Sequence, residues 1–187
     1  MIPFEPRNTI ISKSYLIPGN CWPTELGIIY DSCYGKNSYT EVGVFCGKSL
    51  FVASLALGKN ATITIVDDLS EYGTFPSPEY GKKVLSLTLE QIKIHKPDIT
   101  IIEIYKPSVQ AAVEARSSDV IYIDACHEYA ECKADIEIWS RKLNNHGFMI
   151  GHDYCSRHPG VMDAVNEACI DFMTFDRTRI WKSSNFR

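Results

Sequence analysis

The sequence predicts an α/β fold: a mostly parallel sheet covered by helices on both faces and closed by an antiparallel pair. Three observations predict it. From Tyr39 onwards, short apolar runs alternate with longer segments of helical spacing. Five such β-then-α units in succession give a parallel sheet. The last two strand-like pieces are separated only by Asp176, Arg177 and Thr178, which is too short for a crossover and therefore makes a hairpin.

The strands are expected at Tyr39–Val44, Thr62–Val66, Ile99–Ile104, Val120–Ile123 and Phe148–Gly151, with the hairpin formed by Asp171–Phe175 and Arg179–Lys182. Helices are expected between them. Ser49–Leu57 is apolar nearly all round, as a helix buried on several sides would be. Glu79–His95 is longer and more polar, and Ser108–Arg116 is short. Tyr129–Leu143 sets Cys132, Ile136, Trp139 and Leu143 on one stripe, with Lys133, Glu137, Arg141 and Lys142 largely opposite. Gly160–Ile170 forms the last helix. Residues 1–38 are proline-punctuated, with a short helix around Glu25–Tyr34, and read as an arm or lid on a single domain spanning 39–187.

A chain of 187 residues is most simply one such domain. Its 45% apolar and 22% charged residues are those of an ordinary globular protein. A net charge of −4 argues against a broad nucleic-acid surface. The seven cysteines are odd in number and none has CxxC spacing, which argues against a disulfide framework and for a reducing compartment. The N-terminal residues contain no continuous apolar core of a signal peptide, and no run approaches the ~18–20 apolar residues of a membrane span. The expectation is a cytoplasmic protein with no membrane and no nucleic-acid partner, its oligomeric state open, a homo-oligomer included.

In open α/β sheets ligands sit outside the carboxyl ends of the strands. The first loop there runs from Glu41 through Gly43 and Gly47 to Ser49. Its glycines permit a close backbone approach, and the helix opening at Ser49 offers free amides. Lys48 and Ser49 also suggest a phosphate-binding P-loop, but that loop needs four residues between its glycines and here there are three. The second strand ends at Asp67-Asp68; an acid at that place accepts the ribose hydroxyls of an adenine nucleoside in dinucleotide folds. The fourth strand runs into Asp124, with His127 three residues on. An imidazole with a pKa near 6.5 suits a general base, and both groups fall at one strand mouth.

The blocks EVGVFCGKS (41–49), IVDDL (65–69), IYIDACHEYAECKADIEIW (121–139), NNHGFMIGHDY (144–154) and PGVMDAV (159–165) together resemble the class I S-adenosylmethionine-dependent methyltransferases. The branch is that of the macrocin- and mycinamicin-type sugar O-methyltransferases and the cephalosporin-hydroxylase-like proteins. The resemblance covers about Tyr39 to Lys182. It implies a Rossmann-like, doubly wound, seven-stranded sheet in three α/β/α layers. It also implies that Glu41, Gly43, Gly47 and Ser49 line the methionine part of S-adenosylmethionine, that Asp67 holds its ribose and that Ser108 lies near its adenine, with Asp124 on the cofactor side as well. In metal-dependent members, the positions matching Asp124, His152 and Asp153 bind Mg²⁺, and the histidine matching His127 is the base. Here His152 stands where the best-described members carry a carboxylate. Imidazole suits softer ions than Mg²⁺, so the departure shifts the site towards Mn²⁺, Fe²⁺ or Zn²⁺, or removes the metal.

The implied activity is methyl transfer to a hydroxyl of a small molecule, a sugar or glycoside foremost, with His127 as base and a divalent metal near Asp124 and Asp153. A metal-independent methyltransferase and a non-catalytic cofactor-binding or assembly protein of the same fold stay open beside it. The acceptor pocket is expected from residues 1–38, Ser70–Pro78 and Cys155–Pro159; Trp22 and Tyr30 either fold over a ligand or belong to the core, and Arg157 and His158 read as exposed charges first and as contacts to an anionic substrate second.

Overall fold

The computed structural model describes residues 5–69 and 77–187. Seven strands form one sheet in the order β3-β2-β1-β4-β5-β7-β6. They are β1 (Ser38–Val42), β2 (Thr62–Val66), β3 (Thr100–Ile104), β4 (Ser118–Ile123), β5 (Leu143–Gly151), β6 (Cys169–Thr174) and β7 (Trp181–Phe186). The first five pair in parallel and β7 runs antiparallel to β5 and β6. Chain order reverses between β1 and β4, which makes the space beyond their carboxyl ends the switch point.

The helices are α1 (Arg7–Ser14), α2 (Pro23–Cys33), α3 (Lys48–Ala56), α4 (Pro78–His95), α5 (Ser108–Glu114), α6 (Tyr129–Ser140) and α7 (Pro159–Ala168). Strand alternation divides the core into two layers. Val120 and Tyr122 of β4 face a cluster with α1, α2, α3 and α4. Ile121 and Ile123 face a second cluster with α5, α6 and α7. The stripe on α6 is buried at Cys132, Ile136 and Trp139, as its spacing requires.

The N-terminal segment differs most from expectation. It carries two helices, and Ile10, Ile11, Leu26, Ile29, Tyr30 and Cys33 are buried in the first cluster. Tyr30 is thus a core residue and folds over no ligand. α1 escapes a periodicity reading because its buried face, Ile10, Ile11 and Ser14, is only one turn long and one of its three residues is polar. α2 begins with Pro23 at its first position, and Glu25 accepts the Trp22 backbone N–H at 2.8 Å. Strand ends also shift: β1 stops at Val42, β5 starts at Leu143 and β7 runs on to Phe186. β5 gains its early start across an irregularity in its pairing with β4, where His146 takes a φ of 64°.

The parallel register pairs Val42 with both Val66 and Ile123, and Ile123 with Gly151. The loops after β1, β2, β4 and β5 therefore leave the sheet at one level. They carry Gly43–Gly47, Asp67, Asp124–Glu128 and His152–His158.

Candidate active site

β5 ends in Gly151, His152 and Asp153. Gly151 is required because a Cβ there would lie 2.4 Å from the Trp181 indole. The His152 backbone N–H donates to the Ile123 carbonyl at 3.0 Å, extending the ladder by one residue and turning the imidazole inwards. Its Nε2 lies 3.1 Å from Glu25 Oε2, and its Nδ1 lies 3.4 Å from both Asp124 Oδ1 and Asp153 Oδ2. Burial alone would lower this imidazole's pKa, but the Asp124 charge and the contacts with Asp124, Asp153 and Glu25 outweigh it and hold it well above the usual range. The carboxylates at both nitrogens favour its protonated form.

Asp153 sits in the left-handed region, φ 57°. Its Oδ2 is 2.8 Å from His127 Nε2, and its Oδ1 accepts from Arg179 Nη1 at 3.1 Å. Burial would raise its pKa; the hydrogen bonds from His127 and His152 and their charges reverse that and push it far down. Arg179 precedes β7 and reaches α2, where its Nε donates to Glu25 Oε1 at 3.0 Å and its Nη2 to Glu25 Oε2 at 2.9 Å. Glu25, wholly buried, is held down at about 2: burial opposes its ionisation, and His152 and Arg179 more than compensate. One charged network thus joins α2, the end of β5, the entry to β7 and the loop after β4.

His127 is the exposed end of this network, its side chain 44% accessible. The hydrogen bond with Asp153 raises its pKa, burial opposing. Its ring lies 4.3 Å from that of His158. Gly160, at the start of α7, lets that helix close on the same loop, because a Cβ there would stand 2.6 Å from the His127 carbonyl oxygen. Asp124, at the mouth of β4, accepts from Tyr122 Oη at 3.2 Å.

His127 and Asp153 open onto a cavity of about 790 Å³ bounded by Trp22 from the N-terminal segment, Lys48 from α3, Arg157 and His158 from the β5–α7 loop, and Arg179. Such a volume suits a small-molecule ligand. Trp22, 51% exposed, lies against the Arg179 guanidinium at 4.7 Å. Of the expected acceptor segment Ser70–Pro78, residues 70–76 lie outside the described residues; Ser77 caps α4 by accepting the Tyr80 backbone N–H.

The expected cofactor residues group less directly. Gly43 and Gly47 take φ values of 85° and 84°, which side chains seldom adopt. A Cβ on Gly43 would meet the Asp124 carbonyl oxygen at 2.2 Å, so the crowding there comes from the β4 backbone. Asp67 Oδ2 accepts from the Val44 and Phe45 amides, each at 2.9 Å, and so ties the first loop to the end of β2. Three expected ligands point inwards instead. Glu41 is fully buried and accepts from Tyr39 Oη and Ser49 Oγ, both at 2.6 Å. Burial pushes its pKa up to about 8 against those two hydrogen bonds. The Ser49 hydroxyl is committed to that contact. Ser108 Oγ accepts from Trp139 Nε1 at 2.7 Å, joining α5 to α6. In this arrangement these three hold the loops that a ligand would touch.

The expected metal trio is divided. Among the described residues, ligand-type atoms cluster as Cys21–Asp124–His152 and as His127–Asp153–His158. Mg²⁺ wants near-octahedral oxygen ligands. Here one member of the trio offers an imidazole nitrogen, and the Arg179 guanidinium already pairs with Asp153. Burial pushes the Cys21 thiol up to about 12, against a thiolate ligand. As arranged, Asp124, His152 and Asp153 do not make the oxygen-rich site Mg²⁺ wants: His152 contributes nitrogen, and Asp153 is taken up by Arg179 and His127.

Sequence reasoning passed over Glu25 and Arg179. The only local signal for Glu25 is its place three residues after Trp22 and two after Pro23, a helix-start pattern. Nothing local marks Arg179, since its partners are 154 and 26 residues distant.

A family model described as a methyltransferase domain matches residues 40–154, and the chain belongs to that family. No curated protein sequence matches it. Solved structures resemble it in fold. An O-methyltransferase from Bacillus cereus in complex with SAH has a TM-score of 0.62 at 13% identity, covering 94% of this chain and 89% of that one. A SAM-dependent O-methyltransferase from Thermotoga maritima has a TM-score of 0.65 at 11% identity, covering 92% and 69%. A TDP-rhamnose 3′-O-methyltransferase of calicheamicin biosynthesis has a TM-score of 0.57 at 14% identity, covering 85% and 76%. Among the described residues no helix is long and apolar enough to cross a membrane.

Proposed function

We propose that this chain is an S-adenosylmethionine-dependent O-methyltransferase acting on a hydroxyl of a small molecule, a sugar or glycoside, with His127 as general base and no divalent metal. One observation carries the reading: on the cavity wall, His127 Nε2 is fixed 2.8 Å from the Asp153 carboxylate. Asp153 thereby holds the proton on Nε2 and leaves Nδ1 to take one from an acceptor, the division of labour of a His–Asp pair. The structural neighbour that methylates TDP-rhamnose supports the sugar class.

S-adenosylmethionine, when bound, would supply an electrophilic methyl group on its sulfonium, with the thioether as leaving group keeping the electron pair of the carbon–sulfur bond. The chain supplies alignment and a place for the proton. The acceptor hydroxyl loses its proton to His127 Nδ1 as its oxygen bonds to the methyl carbon. Fixed alignment of two reactants is worth about 7–11 kcal/mol, and a positioned base ~10²–10⁴-fold in rate. Arg179 and His152 lie against Asp153, Asp124 and Glu25 and offset much of their charge, so the wall behind His127 is less anionic when the acceptor oxygen gains charge.

Asp67 is the ribose ligand in this reading, its carboxylate turning from the Val44 and Phe45 amides to the hydroxyls. Calorimetry with S-adenosylhomocysteine should show binding that Asp67→Ala abolishes; an unchanged affinity would remove Asp67 from the cofactor site. Release of S-adenosylhomocysteine with an offered sugar should survive EDTA. Loss of turnover restored by Mg²⁺ or Mn²⁺ would reinstate a metal-assisted route.

A further inference from the structure

The cavity beside His127 is unequally charged. Among the described residues its one lining carboxylate is Asp153, and this is already surrounded by His127, His152, Arg179 and, at 3.8 Å, His158. Arg179 is likewise committed, giving Nε, Nη1 and Nη2 to Glu25, Asp153 and the Asn20 carbonyl. Two further cations on the wall lack a counter-ion among the described residues. Lys48 is 9% exposed, donates to the Gly19 carbonyl at 2.7 Å and lies 5.1 Å from the Tyr15 ring, with no carboxylate in ion-pair range. Arg157, exposed on the opposite loop, makes no hydrogen bond or ion pair with the described residues.

A half-sequestered ammonium without a carboxylate is costly unless something else supplies the negative charge. Two cations facing one cavity with no counter-ion among the described residues, on a chain of net charge −4, focus a local field that attracts anions. The planar donor fork of an arginine is suited to phosphate or carboxylate oxygens. Trp22 adds a flat apolar face on the same wall.

We infer that the acceptor of this enzyme is an anion, a hydroxylated molecule bearing a phosphate or carboxylate group that Arg157 and Lys48 receive while its hydroxyl meets His127. The inference rests on the methyltransferase reading and narrows it, since a neutral sugar would leave both cations without a partner among the described residues. The other source of such an anion is the carboxylate of the cofactor itself, because Lys48 opens α3 beside the cofactor loop.

The test is calorimetric titration of the full chain saturated with S-adenosylhomocysteine, whose carboxylate is then already seated. Pyrophosphate, glucose 1-phosphate and glucuronate are the charged probes and glucose the neutral control. Saturable binding of at least one charged probe, none of glucose, and a tenfold or greater loss in Arg157→Ala with unchanged affinity for S-adenosylhomocysteine is expected. Lys48→Met should weaken the same probe. No charged probe binding, equal binding of glucose, or an unaltered Arg157→Ala overturns the inference. So does a Lys48→Met chain that loses S-adenosylhomocysteine while binding the probe normally, which would give that cation to the cofactor. Failure of S-adenosylhomocysteine to bind the parent chain removes the methyltransferase reading itself; its binding without that of any charged probe removes only the anionic acceptor.

Discussion

His127 and Asp153 carry the functional reading, and their coupling can be tested by titration. The hydrogen bond with Asp153 raises the His127 pKa above its ordinary value. A general base works in its neutral form, so the rate should climb with pH through that raised pKa and level off above it. In Asp153→Asn the anion is gone and the ascending limb should move to lower pH, towards or below about 6.5. The plateau should also fall, by ~10²-fold or more, because the imidazole is no longer held in one tautomer. His127→Ala should remove the limb altogether. A limb that stays in place in Asp153→Asn would show that another group titrates. Asp124 and His127 were legible as a pair from the strand-mouth pattern. That Asp153 rather than Asp124 is the partner of His127 was not, because it depends on a left-handed backbone turn at Asp153 that no residue type demands.

At the level of elements, the loop after β4 is positioned by α7 more than by its own residues. The Gly160 Cα approaches the His127–Tyr129 backbone so closely that a Cβ would lie 2.6 Å from the His127 carbonyl oxygen and 2.7 Å from the Tyr129 nitrogen. Backbone cannot yield as a flexible side chain would, so Gly160→Ala should push the loop and the helix apart. Expected is a fall in kcat with S-adenosylhomocysteine affinity unchanged, since the cofactor loops lie on other strands; a small displacement of a base can cost ~10²-fold. Equal losses in cofactor affinity and kcat would instead indicate general disorder. The same element shows what a sequence conveys and what it leaves out. The strands, the α6 stripe and the hairpin follow from periodicity and turn length, which are local. The packing of α1 and α2 on α3 is not local: Ile10 and Ile11 are adjacent, and Leu26, Ile29 and Cys33 acquire a core only when α3 is beside them.

For the molecule as a whole, the charged network ties the N-terminal segment to the far end of the chain. Glu25 of α2 receives the backbone N–H and side chain of Arg179, 154 residues away, as well as His152 at the end of β5. Such a network makes stability depend on pH in a definite direction. The Glu25 carboxyl is held at about 2 in the fold against an ordinary value of 4.5. A depressed acid contributes stability that is present above its unfolded pKa and lost as pH falls through its folded one, here from about 4.5 down to about 2. The shift corresponds to roughly 3 kcal/mol at neutral pH. Removing the charge leaves Arg179 and His152 short of a partner inside the fold, which costs about 3–5 kcal/mol for a buried pair. Glu25→Gln should therefore unfold at distinctly lower denaturant than the parent chain at pH 7. The gap should narrow as pH falls below 4.5, because the parent protonates the same carboxyl while the variant has none to protonate. Denaturant melts of both chains between pH 7 and pH 2.5 measure this directly. A gap that stays constant across the range would mean that Glu25 contributes through shape and hydrogen bonding, with its charge of no consequence to the joining of α2 to β5 and β7.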